Sequence, residues 1–291
     1  MCMLSGGPSS YTSQPKLSST NIFCRWMPDG SQALVYGMNI EAEDPLAMVI
    51  PLPLRPGSAD DAVRFVDMSY PRFFVELNAG FPAVVVHMPA ARGGGGGGGV
   101  QKVRPRLPVH KSGDFIASFV PSIGDFDRLD PRFRLAPTVW NELPTYADWG
   151  FAVFALADVA QRSFFERLFG MGRRTIRPMS LTFPSRFDAL FFPTVHVHDG
   201  EAHAVADFDH FLYWQASEGG IVRGRLPSRK VAEPAAPPLL YGFDDYSRVT
   251  DAPATKFLDV ARAAGLVDGG AVVLRHRLVG ELENADHWHL A

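Results

Sequence analysis

Imidazoles and carboxylates concentrate in one stretch of this chain, residues 190–215, LFFPTVHVHDGEAHAVADFDHFLYWQ. Phe191, Val195 and Val197 alternate with Phe192, Thr194, His196 and His198, which is the period of a strand. Asp199-Gly200 then supplies the dipeptide of a type I′ turn, where both central residues need positive φ. The stretch therefore predicts a β-hairpin with a two-residue loop. In that register His198 lies opposite Glu201, Val197 opposite Ala202, and His196 opposite His203. Val195, Val197, Ala202 and Ala204 take the core face. His196, His198, Glu201 and His203 share the other.

Directly opposed residues hold their Cβ atoms roughly 4.5–5.5 Å apart. Three imidazoles and a carboxylate on one face can then converge on one ion, at bond lengths of roughly 2.0–2.2 Å. Mixed nitrogen and oxygen donors suit a divalent transition metal such as Zn or Fe. Two plainer readings compete: the solvated face of a hairpin tip, or a metal-free polar pocket for a small-molecule ligand. Asp207 and Asp209 on the return strand are further candidates as ligand, base or orienting group. In the ideal register they share the His203 side, and His210 faces the other way. His87 sits in an apolar run and reads as structural. His287-Trp288-His289, near the end of the chain, reads as frayed or surface-packed.

The His-x-His-plus-Glu arrangement resembles the metal hairpins of cupins. The His198 to Glu201 spacing is shorter than the cupin pattern, and no second cupin motif follows. The phrases PSIGDFDRLDPRF, YADWGFAVF and FFPTVHVHDG resemble uncharacterised, mainly bacterial proteins over roughly residues 24–215. That resemblance implies no activity.

The elements that must position these residues follow from the rest of the chain. Its 291 residues are 46% hydrophobic and 20% charged, an ordinary globular balance for one large domain or two small ones. The net charge of -3 offers neither nucleic acid nor an anionic membrane an electrostatic footing. Cys2 and Cys24 form no disulfide framework and no CxxC pair, which fits a reducing compartment. The first residues lack a signal-peptide pattern, and no apolar run reaches the roughly 18 residues of a membrane span. The chain reads as soluble and cytoplasmic.

Residues 1–20 are rich in Ser, Thr, Gly and Pro and read as a disordered tail. Strands are predicted over Ala33–Ile40, Leu46–Leu54, Ala62–Met68, Asp114–Val120, Phe151–Ala157 and Arg177–Phe183, with Ala83–Met88 as a short buried one. Short helices are predicted at Arg72–Asn78, Ser122–Asp130 and Pro137–Leu143. The glycine run Gly93–Gly99 lacks the GK[ST] ending of a phosphate loop and reads as a flexible insertion. A main domain over 21–232 is followed by a Pro/Ala linker at 233–238. A C-terminal segment over 239–291 follows, with a helix at Thr255–Gly265 and a strand at Ala271–Val279, packed on the main domain. The fold class is α+β: a mainly antiparallel sheet with short inserted helices and a small C-terminal helix-strand segment.

GxSxG, HExxH, EF-hand and kinase motifs are all absent. Two functions remain. One is a metal-dependent enzyme acting on a small molecule through His196, His198, Glu201 and His203. The other is a non-enzymatic binding or structural interaction module.

Overall fold

A computed structural model describes residues 3–5, 15–41, 46–81, 110–112, 115–135, 137–156, 174–175, 177–198, 200–215 and 247–290. The strands are β1 (Met3–Leu4), β2 (Lys16–Trp26), β3 (Gln32–Glu41), β4 (Ala47–Leu52), β5 (Arg64–Phe65), β6 (His110–Ser112), β7 (Phe115–Val120) and β8 (Gly150–Leu156). They continue as β9 (Arg174–Thr175), β10 (Met179–Phe183), β11 (Ala189–Phe192), β12 (Val205–Gln215), β13 (Ser247–Val249), β14 (Leu274–Glu283) and β15 (His287–Leu290). Two short α-helices, α1 (Phe73–Ala79) and α2 (Pro137–Glu142), and several 3-10 turns lie between them. The predicted α+β class stands.

One sheet has the order β1-β4-β8-β7-β6. A larger one runs β13-β14-β12-β2-β3-β10-β5, with β9 also on β3. β11 and β15 form a separate ribbon. Pairing is antiparallel except for β12 beside β2, among the named strands described. Alternation sorts the large sheet's side chains. Ile22, Cys24, Leu34, Tyr36, Phe208, Leu212 and Trp214 point inward, into a core shared with β4, β7, β8 and the ribbon. Phe23, Val35 and Tyr213 point outward, under α1 and the segment 254–273. Gly37 lets α1 sit close: a Cβ there would stand 2.6 Å from the Phe74 ring.

Three differences from the sequence reading have physical causes. Residues 1–20 are not wholly a loose tail. Met3 and Leu4 pair with β4 and are 0% exposed, and β2 already begins at Lys16. Backbone ladders recruited a Ser-rich segment whose side chains gave no apolar signal. The predicted helix at Thr255–Gly265 is instead two 3-10 turns, Ala254–Lys256 and Val260–Ala263, ended by Gly265 at φ +80. Finally, the C-terminal segment is part of the large sheet, with β14 flanked by β12 and β13. The glycine run at 93–99, Ala83–Met88 and the linker at 233–238 lie outside the described residues.

Candidate functional site

Strand β11 ends at Phe192 because Pro193 brings no N–H. The next amides are then claimed by side chains. Thr194 and Val195 both donate to Asp286 Oδ1, at 2.8 and 3.1 Å. His196 donates to Asn284 Oδ1 at 2.6 Å, and Asn284 Nδ2 returns a bond to the His196 carbonyl at 2.9 Å. A second bond from Asn284 Nδ2 reaches the His203 carbonyl at 2.8 Å.

The predicted hairpin is therefore not formed. Residues 193–198 make no ladder with 201–204, and β11 pairs with β15 instead. The amides that a hairpin would have paired are occupied by Asn284 and Asp286. Gly200 does adopt the positive φ of a turn, at +85, whereas Asp199 lies outside the described residues.

The rings regroup accordingly. His196 is 8% exposed and stacks between His198, at 5.3 Å between centroids, and His210, at 5.1 Å. Phe208 lies against His196 at 4.3 Å and His210 at 5.0 Å, and His287 stands 6.3 Å from the same ring. His203 and Glu201 are exposed and outside the stack. Asp207 is exposed, and Asp209 accepts from the Ser19 amide at 2.5 Å.

His196 thus joins His198 and His210, not His203 and Glu201. Parallel rings about 5 Å apart aim their in-plane nitrogens side by side, whereas a metal needs them to meet at one point. Among the described residues no group of three or more His, Cys, Asp or Glu is placed to hold a metal ion.

Protonation states follow from the hydrogen bonds. The Asp209 amide donates to His210 Nδ1 at 3.2 Å, so the His210 proton sits on Nε2. Thr194 gives its single hydroxyl proton to the Ala285 carbonyl at 2.7 Å, so His287 Nδ1 donates to Thr194 Oγ1, also at 2.7 Å. The Nε2 atoms of His196 and His210 are buried and have no hydrogen-bond partner among the described residues. Burial above all holds these rings neutral. His196 is pushed far below the usual imidazole range, by burial and then by the neighbouring His210 and His198. His210 is pushed well down by burial, His287 and His198. His287 is lowered to about 4, by burial and then His276.

Beside the stack lies a buried carboxyl group. Asp286 is 8% exposed and accepts from Thr194, Val195 and the Tyr146 hydroxyl, the last at 2.5 Å. Burial raises its pKa against the pull of those bonds, and it raises Tyr146 as well. The hairpin reading left out Asn284, Asp286 and Tyr146, and His287-Trp288, read as frayed or surface-packed, is instead buried, at 8% and 6% exposed, in strand β15 beside β11. The signal was the alternation Asn284-x-Asp286, two short polar side chains at the entry to an apolar strand.

A shallow cleft lies elsewhere, between Tyr36, Met38, Ile40, Phe115, Arg177 and Met179, and it encloses no room even for a water molecule, against the roughly 300–1,000 Å³ of small-molecule sites. Among the described residues no helix is long and apolar enough to cross a membrane.

No protein-family profile and no curated protein matches the chain. Solved structures align with most of the chain's length. The crystal structure of baculovirus P35 is 13% identical, with a TM-score of 0.42, over 99% of this chain and 98% of that one. P35 in its complex with caspase-8 is 11% identical, with a TM-score of 0.41, over 93% and 95%. A mutated baculovirus P35 after caspase cleavage is 12% identical, with a TM-score of 0.34, over 92% and 97%. No residue role passes from these proteins to this chain.

Proposed function

We propose that this chain is a non-enzymatic interaction module and that its histidines are structural. One observation carries the reading: the side chains that do come together are consumed by packing and by backbone hydrogen bonds. His196 and His210 are 8% and 1% exposed and press on Phe208 and on each other. Asn284 and Asp286 spend their oxygens on the backbone of 194–196. A reaction centre needs groups that reach a substrate, and these face the core.

A metal-dependent enzyme is the second reading, and the unpartnered Nε2 atoms of His196 and His210 favour it. Buried polar atoms without a partner are where an unseen ion or water belongs. Rotation of His196 out of the stack would be required for its nitrogen and that of His210 to share one ion.

Elemental mass spectrometry separates the two. The protein is purified untagged and without chelator, beside His196→Ala and His203→Ala variants. Substoichiometric metal in all three is the expected result. Near-stoichiometric metal lost in His196→Ala would sink the module reading and restore the enzyme.

A further inference from the structure

Strand β12 turns two kinds of residue outward at its N-terminal end. Ala206 and Phe208 pack on the inner core, so Val205 and Asp207 face out. On β14 Leu278 and Leu282 pack inward, so Val279, Glu281 and Glu283 face out. Val205 is 55% exposed and Val279 38%. α1 and the segment 254–273 cover the other end of this face and stop short of it.

The register makes the surface electrostatically unfavourable by itself. Asp207 lies directly opposite Glu281, and Val205 opposite Glu283. Like charges in opposed positions, with Cβ atoms roughly 4.5–5.5 Å apart, destabilise a strand pair. Asp207, Glu281 and Glu283 make no ion pair among the described residues. The cation nearest in register, Arg277, lies over the Phe211 ring at 5.6 Å. Apolar exposure and negative charge therefore share one end of the β12–β14 face.

We propose that this face docks a cationic, aliphatic segment of a partner protein. Its Lys or Arg heads would sit among Asp207, Glu281 and Glu283, and its apolar side chains on Val205 and Val279. Charge complementarity selects that occupant, because nucleic acid and anionic lipid would meet the carboxylates with repulsion. The inference rests on the reading of the chain as an interaction module. Its test is independent of the metal measurement, so the two fail separately.

The probe is a fluorescein-labelled decapeptide alternating lysine and valine, titrated by anisotropy at low and moderate salt. Wild type is compared with Asp207→Asn/Glu281→Gln/Glu283→Gln and with Val205→Ser/Val279→Ser. Affinity should fall at least tenfold in the first variant and about threefold or more in the second. Both variants should keep the wild-type circular dichroism, and neutralisation should leave Tm unchanged or higher. Equal affinity in either variant would overturn the proposal. So would a wild-type dimer in sedimentation that these substitutions dissolve, because the face would then belong to a second copy.

Discussion

The two faces of β12 invert the usual rule of burial. Inward it carries His210, 1% exposed, beside Phe208. Outward it carries Val205, 55% exposed, beside Asp207. Imidazole can sit in a core because its neutral form is an aromatic plate that stacks, at the cost of never taking a proton there. Valine can sit in water because single exposed apolar residues cost little. The inner imidazoles therefore depend on protonation, and the exposed valines of the outer face do not.

That contrast breaks first at Asp286. Asp286→Ala removes the acceptor for two amides and the Tyr146 hydroxyl. Each buried donor left without a partner costs about 1–3 kcal/mol, so the loss should be about 4 kcal/mol in urea unfolding. Asp286→Asn keeps an acceptor oxygen and should lose much less. Equal losses would mean that the site is held by shape alone.

The histidines sharpen the contrast through pH. His196, His210 and His287 have folded pKa values depressed from an unfolded value near 6.5. Below about pH 6.5 the unfolded chain binds protons that the folded chain refuses, so their contribution declines as pH falls. For His287 the decline runs down to about pH 4, and for the other two further. Each ring contributes a slope of about 1.4 kcal/mol per pH unit. His210→Gln should remove one such slope between pH 6 and 5, measured as stability against pH beside wild type. Parallel curves would show that His210 reaches solvent when it titrates. The buried carboxyl of Asp286, raised by burial, acts in the opposite sense: its contribution declines as pH rises through its folded value.

The outer face should give the smallest response. Val205→Ser should change stability by no more than about 0.5 kcal/mol. A larger loss would mean that the valine is covered.

Most strands were legible. Predicted Ala33–Ile40 and Phe151–Ala157 correspond to Gln32–Glu41 and Gly150–Leu156, because continuous apolar runs between turn residues leave few alternatives. Helices α1 and α2 were placed to within two residues. The candidate site was legible in part. His196 and His198 do meet, but their third ring is His210, not His203. Local periodicity cannot see a partner strand about a hundred residues away, and β15 is such a partner for β11. Nor does a turn dipeptide reveal that Asn284 and Asp286 already hold the amides a hairpin would use.

Asn284 also belongs to a set. Gln32 bonds both the amide and the carbonyl of Phe191, at 2.9 and 2.7 Å, across 159 residues of chain. Gln215 does the same with the amide and carbonyl of Asp268, at 2.8 and 2.7 Å. Each of the three side-chain amides copies one rung of a ladder and sews a loop or ribbon to a distant strand. Such a rung closes only when both ends are in place, so it can reward folding late and nucleate nothing. The β11–β15 ribbon should then be the last piece to seat and the first to lift. The Phe191 amide, held by Gln32 and not by the ribbon's own ladder, is the hydrogen whose exchange would time that event.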